Sequence, residues 1–507
     1  MLTFEDIAYK LSKRFENHHF NSLKDLPQPS TLANIPKASH LIAQAIQNGE
    51  KILIVGDYDA DGILSTALMQ IFFHSLGVKN FTCIIPNRFS DGYGISASII
   101  ENNPANLIIT VDNGITAIEV AELCKQKGQT LIITDHHTPK DTLPNALIIN
   151  PKVSGFVQEE ICGCFVAWYL CAGIKQALNS TFNLAPLLEL VAIATISDVM
   201  PLTHLNRIIL TKALSSLKAP HFAFAQYLLS KYKKIDEECI GYYIAPLINA
   251  SGRMGEAQVA LDFILSPNLS EAKVRYDALQ ALNTQRKTIQ AQLQEEAKNH
   301  TYIGEECVVA YGEEWHEGVL GILAGKLSTQ YNKSAFVFTL KNGLYQGSGR
   351  GVSGVNLLKS LELMEWEGIE FGGHSKAVGV KLEKIEGFHL HFKAYPQEEN
   401  LQESLLGEVS IELLTPSLLS LLRSYSPYGE GNPEPLFFIK TLEILEHKLI
   451  GEGKNHTSLL IKSPYKPIKA LLYHHALPPT PFLHNVIFAF KEDNYSRKPL
   501  ILIKSLS

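Results

Sequence analysis

The 507-residue chain holds 45 Lys and Arg against 51 Asp and Glu, a formal net charge of −6, and is 46% hydrophobic. Its length exceeds what one hydrophobic core organises and calls for roughly two to four domains. The charge excludes a uniformly basic nucleic-acid binder, although ten Lys or Arg face five Asp or Glu between Lys440 and Ser507.

The first residues, Met1 to Phe20, include Glu5, Asp6, Lys10, Lys13, Arg14 and Glu16, which is no secretory leader. No apolar run approaches the ~18 residues of a membrane span. Seven scattered cysteines, an odd number, read as reduced core thiols. The expectation is a cytoplasmic protein with no membrane association.

From about residue 40 to 200, short apolar runs alternate with helical patterns. The runs are Lys51–Val55, Phe81–Pro86, Leu107–Asp112, Leu131–Asp135 and Ala146–Asn150, with amphipathic stretches such as Ser65–Leu76 and Ile115–Lys127 between them. That alternation predicts a parallel α/β sheet, whose ligands bind beyond the carboxyl ends of the strands. Residues 161–235 read as mostly helical. Ser270–Lys298 reads as one long polar helix, capped by Asn268 or Ser270, with a thin apolar stripe suited to linking two domains. A second α/β unit follows, and the last segment turns to short alternating strands that fit a small Greek-key barrel of the OB type. The expected domains are 1–265, 266–300 as linker helix, 301–392 and 393–507.

The chemistry concentrates at the ends of the first apolar runs. Gly56-Asp57-Tyr58-Asp59-Ala60-Asp61-Gly62 follows the first, Asp112-Asn113-Gly114 the third, and Asp135-His136-His137 the fourth; Asp198 ends a later apolar stretch just before Pro201. Each has an ordinary explanation: an Asp after a strand caps a helix, Asp-Asn-Gly makes a turn, and paired histidines sit on surfaces. Together, at the ends of strands in one sheet, they are costly to bury unless paired, and divalent metal, two ions rather than one, is the partner for so many carboxylates. An imidazole in the set favours manganese or a similar ion over all-oxygen sites.

These motifs resemble the DHH phosphoesterase superfamily, and within it the single-strand-specific exonucleases, along nearly the whole chain. Further matching segments are Asn249–Met254, Trp315–Ile322, Gly347–Arg350, Gly372–Gly379 and Pro427–Pro435. The resemblance implies two Mn2+ or Mg2+ ions held by Asp59, Asp61, Asp112, His136 and Asp198, with Asp112 bridging and His137 near the substrate phosphate. Relatives that cleave small phosphates carry a His where Val55 stands, so the first metal has one protein ligand fewer here, or Asp57 or water fills the gap. Asp135 is expected to orient a histidine.

The same resemblance implies a single strand gripped by its 5′-phosphate through Arg88, Arg253, Ser348 and Arg350, with His374 a further phosphate contact and His316 open between that role and a structural one. The implied reaction is 5′-to-3′ hydrolysis of single-stranded DNA in repair and recombination, with a single-strand-binding protein or a helicase as protein partner. The rivals are a phosphodiesterase of short oligonucleotides or cyclic dinucleotides and a non-catalytic DNA-binding scaffold. Lys454, Lys462, Lys466, Lys469, Lys491, Arg497 and Lys498, with Tyr465, Tyr473 and Tyr495, suit a stacking, basic single-strand surface, while Phe488 and Phe490 read as barrel core.

Overall fold

The computed structural model describes residues 1–16, 20, 22–397, 404–451, 453–493 and 496–506; Tyr495 lies outside them. Two compact units emerge. One comprises Pro27–Asp198 and Ala213–Asn400; the other comprises Met1–Leu26, Val199–Lys212 and Leu401–Ser507.

The larger unit begins with five parallel strands: β1 (Ile52–Val55), β2 (Phe81–Ile84), β3 (Leu107–Val111), β4 (Thr130–Thr134) and β5 (Leu147–Ile149), in the order β2-β1-β3-β4-β5. β1 and β3 are buried along their whole length because helices cover both faces, which is why they read as unbroken apolar runs. The strand order reverses between β1 and β3. At such a switch point the loops leaving the two strands diverge and open a crevice.

Helix Leu269–Ala297 is capped by Asn268, whose side chain accepts from the Glu271 N–H at 3.0 Å. It packs against helices Ala223–Tyr232, Ala245–Arg253 and Ala257–Ile264, and further along against helix Glu317–Tyr331. The sparse stripe is therefore a pair of contact faces, one for each half of the unit. Beyond it lies a six-stranded mixed sheet of β6 (Thr301–Ile303), β7 (Cys307–Glu313), β8 (Ser334–Lys341), β9 (Leu344–Arg350), β10 (Glu370–His374) and β11 (Ala377–Leu382), ordered β10-β11-β9-β8-β7-β6. The segment Gly372–Gly379 falls on a hairpin of β10 and β11 that turns at Ser375 and Lys376.

The second unit is a barrel. Strands β13 (Leu436–Ile450), β14 (His456–Ile461), β15 (Ile468–Leu472), β16 (Phe482–Glu492) and β17 (Pro499–Leu506) close through a β13–β16 pairing, and β12 (Leu405–Glu408) adds in parallel to β13. Phe437, Phe488 and Phe490 fill its core. β13 is far longer than the short strands expected here, since beyond its first apolar residues it carries Lys440, Glu443, Glu446 and Lys448 at exposed or half-exposed positions. The helix Phe4–Lys13 contributes Ile7 and Leu11 to this core, so the N-terminus, expected with residues 27–265, packs in the unit that holds the C-terminus. No helix among the described residues is long and apolar enough to cross a membrane.

Candidate active site

Three strand ends and three helices meet at the switch point. After β1, Asp59 caps helix Ala60–Ser75, its Oδ1 accepting from the Gly62 N–H at 3.1 Å. The ordinary cap reading is thus correct for one oxygen and leaves the other free. Asp61, in the first turn of that helix, reaches the start of helix Gly163–Ala177 and accepts from the Gly163 and Cys164 N–H groups at 2.6 and 2.8 Å. Helix N-termini favour such a negative charge.

Asp112 follows β3 with φ +62°, a strained backbone for a residue other than glycine. Asn113 holds that turn. Its side-chain amide donates to the carbonyls of Val55 and Val111, at 3.0 and 2.9 Å, and its oxygen accepts from Ile95 N–H at 3.0 Å. Asp198 caps the C-terminus of helix Leu188–Ser197, so the apolar stretch before it is helical.

His136 points Nε2 into this group, 3.2 Å from Asp112 Oδ1, 3.4 Å from Asp198 Oδ2 and 3.7 Å from Asp61 Oδ2. Asp112 Oδ1 and Asp198 Oδ2 are buried without a hydrogen-bond partner, as is Asp57 Oδ1. The donor atoms of Asp61, His136 and Asp198 lie within 4.8 Å of one another, and so do those of Asp57, Asp59 and Asp112. These two donor sets lie side by side, with Asp112 and His136 in contact where they meet, and those two form a third such set with His137.

The electrostatics of the empty-handed cluster are unfavourable. Burial and then the neighbouring Asp59 push Asp61 up to about 7. Burial, Asp61, Asp59 and Asp57 drive Asp112 well above the carboxylate range; burial does the same for Asp198 and Asp57. Burial holds His136 down to about 3, leaving it neutral with a lone pair to give. Orphaned carboxylate oxygens and a neutral imidazole aimed at common points fit divalent cations, which need such ligands deprotonated.

Asp135 serves His137 rather than the buried imidazole of His136. Its Oδ1 lies 2.7 Å from His137 Nδ1 and accepts from the His136 and His137 N–H groups, while Oδ2 accepts from Ile115 N–H at 2.9 Å. Burial opposes ionisation of Asp135, but the His137 contact keeps it below the usual range. In return, against the pull of burial, Asp135 raises His137 to about 9. The His137 side chain is 45% exposed, a fixed cation at the mouth of the site. Tyr93 OH stands 3.4 Å from that ring, a neighbour the motifs alone do not single out.

Across from the carboxylates is a cluster of guanidinium groups. Arg253 donates to the Gly318 carbonyl at 3.1 Å, linking helix Ala245–Arg253 to helix Glu317–Tyr331. Burial, then Arg88 and Arg350, lower it to about 10. Arg88 lies over the Tyr58 ring at 5.1 Å. Arg350 Nη2 and Ser348 Oγ both approach Gly321, where a Cβ would lie 2.7 and 3.5 Å from them. His374 is held neutral by burial and then Arg350. Mutually repelling cations that form no close ion pair among the described residues call for a bound anion. His316 borders that group in a different role: its Nδ1 accepts from Gly318 N–H at 3.2 Å as a helix cap, and its ring packs edge-on against Phe89.

Models of known families match three segments: the DHH family, N-terminal domain over 51–195, the DHHA1 domain over 304–403 and the RecJ OB domain over 407–500. The single-stranded-DNA-specific exonuclease RecJ of Escherichia coli is 33% identical over 489 residues, covering 87% of this chain and 83% of that one. The chain belongs to the RecJ family. The RecJ of Haemophilus influenzae is 32% identical over 480 residues with the same shares covered. The crystal structure of RecJ in complex with Mn2+ from Thermus thermophilus superposes with a TM-score of 0.82 at 25% identity, over 99% of this chain and 75% of that one. RecJ membership thus rests on all three segments, and Asp198 lies just beyond the residues matched by the DHH model.

Proposed function

We propose that the chain is a metal-dependent exonuclease that hydrolyses single-stranded DNA from a 5′-phosphorylated end, in DNA repair and recombination. The observation that carries this reading is the pair of donor sets, with buried oxygens left unpartnered, near three arginines, Arg88, Arg253 and Arg350, that form no close ion pair among the described residues. Family membership and the activity for which the relatives are named support it.

On this reading Asp59, Asp61, Asp112, His136 and Asp198 hold two divalent ions, Mn2+ or Mg2+, with Asp57 as a sixth donor on the Asp59 side. Such ions, when bound, polarise phosphoryl oxygens and acidify water. The remaining work belongs to the chain. The Gly163 and Cys164 N–H groups fix the Asp61 carboxylate, and Asn113 fixes the strained Asp112 turn. The His137 cation, locked by Asp135, donates to a non-bridging phosphate oxygen as negative charge builds there. Arg88, Arg253, Arg350 and Ser348 receive the terminal phosphate, and His374 offers one further contact. His316 acts here as a helix cap.

The barrel supplies a surface for the strand. Tyr465 and Tyr473 are exposed there, as stacking requires. Lys462, Lys469, Lys491 and Arg497 are engaged in ion pairs; among the described residues Lys454, Lys466 and Lys498 have none. The enzyme would work in the cytoplasm on strands exposed by a helicase or carried by a single-strand-binding protein.

The test is digestion of a 5′-phosphorylated single strand, the matching duplex and a dinucleotide, with Mn2+. Shortening of the single strand from its 5′ end, with the duplex spared, is expected. Consumption of the dinucleotide alone would reassign the chain to small-substrate phosphodiesterases. Binding of the strand without cleavage would make it a scaffold.

A further inference from the structure

A second recess lies next to the arginine cluster, in the larger unit, with a volume of about 240 Å³. Its walls are Phe89, which is 40% exposed, and the ring of His316, whose centroids lie 5.4 Å apart and edge-on. Trp315 backs them, fixed by its indole N–H donating to Glu296 at 3.1 Å. On the side of β8 is Thr339, 1% exposed, whose hydroxyl has no hydrogen-bond partner. A buried hydroxyl left unmatched is costly, so it marks a place where a ligand can complete the bond. At the rim Glu314 adopts φ +55°, a strained conformation for a residue with a side chain.

The chemistry of the recess narrows its occupant. A cation is a poor fit, since Glu317 already pairs with Lys341 at 2.9 Å and His316 Nδ1 is committed to the Gly318 N–H, which leaves the single carboxylate of Glu314 at the rim. An anion is a poor fit, since Glu314 and Glu317 line the recess and its one lysine is neutralised. A flat, neutral group with hydrogen-bonding edges fits aromatic walls and a hydroxyl floor. The volume lies below the roughly 300 Å³ at which drug-sized sites begin, which suits one ring system rather than a whole nucleotide. The recess also adjoins the anion cluster through the chain itself: Phe89 follows Arg88, and Gly318, two residues after His316, accepts from Arg253.

We propose that this recess receives one nucleobase of the bound single strand, the base beside the phosphate held by Arg88 and Arg253. The proposal rests on the nuclease reading and adds a base-binding position to it. Aromatic stacking with an unspecific hydroxyl contact would hold any base, so the strand's end is seated without sequence choice.

The experiment measures binding of a 5′-phosphorylated tetranucleotide to the full chain in chelator, by fluorescence anisotropy, with an abasic site placed at each position in turn. One position should weaken binding to the wild type by at least about fivefold, the low end of what a base loses with its stacking partner. Phe89→Ala should weaken the intact tetranucleotide by a similar factor and make that abasic position indifferent. Thr339→Val, nearly the same shape, should weaken binding while its melting temperature stays level or rises, because no bond is lost in the free protein. Binding and digestion that proceed normally but ignore every abasic position, or losses from Phe89→Ala and the abasic site that multiply, overturn the base pocket alone. A wild type that neither binds nor digests the phosphorylated strand overturns the nuclease reading with it.

Discussion

Gly163 stands directly against Asp112: a Cβ at position 163 would lie 2.4 Å from Asp112 Oδ1 and 2.6 Å from its Cβ. The residue that starts the helix and donates to Asp61 is thus also the one whose missing side chain makes room for the neighbouring carboxylate. Gly163→Ala should displace Asp112 while the helix, which favours Ala, forms as before. A drop of about 10–100-fold in Mn2+ affinity is expected, the scale of disturbing a ligand's support. Titration of Mn2+ against melting temperature checks it, with an unchanged midpoint as the contrary result.

The metal-free protein should lose stability as pH rises from about 4 to about 7. Asp61 is raised from 3.8 to about 7 by burial and then Asp59, so the native state holds its proton more tightly than the unfolded chain. Stability from that proton is fully present below 3.8 and lost as pH climbs through 7. Asp57, Asp112 and Asp198, also raised, act in the same direction and together outweigh the neutral His136, whose depressed value contributes the opposite sign up to about 6.5. Mn2+ should abolish the decline, since the carboxylates then stay ionised and ligated, and should raise the melting temperature at pH 7. Thermal unfolding across this range in chelator and in Mn2+ decides the matter. A chelated protein that gains stability over that window would mean the carboxylates are not crowded.

Much of this site was legible in the sequence, for a physical reason. Parallel strands buried on both faces read as continuous apolar runs, and ligands gather past their carboxyl ends, so Asp59, Asp112 and His136 could be placed from local pattern. Partners distant in the chain could not. Nothing near Asn113 announces that its amide ties β3 to the Val55 carbonyl of β1, and nothing near Asp61 announces the Gly163 and Cys164 N–H groups. Tyr93 follows Arg88 by five residues, yet its approach to His137 depends on how the loop folds back. The helix Phe4–Lys13 shows an apolar face in Ile7 and Leu11, but an amphipathic pattern does not say which core it covers. His316 was ambiguous because a cap and a phosphate contact both favour the first turn of a helix.

Arg350→Ala should erase much of the preference for a 5′-phosphate over a 5′-hydroxyl. Its guanidinium is buried beside Gly321, its Nη1 donates to Gly349 carbonyl at 2.8 Å, and burial and then Arg88 lower its affinity for protons. A charged hydrogen bond contributes about 1.5–3 kcal/mol, so roughly a tenfold or greater loss of discrimination is expected. Comparing kcat/KM for the two substrates isolates the effect, because a general loss of fold or metal would lower both alike.

Asp135→Asn should uncouple His137 without removing a metal ligand. The carboxylate accepts from Ile115 N–H and from two N–H groups at the start of the following loop, and an amide oxygen can keep part of that pattern. What it cannot keep is the negative charge that holds the His137 cation. The imidazole, at about 9 in the wild type, should therefore titrate closer to the ordinary histidine value, and much of it would be neutral at pH 8. Proton resonances of the ring, followed against pH in the chelated protein, report this directly. If His137 donates to the phosphate, kcat should fall about 10–100-fold at pH 8 and recover in part toward pH 6, where the imidazole regains its proton. A loss of equal size at both pH values would assign Asp135 to holding the loop alone.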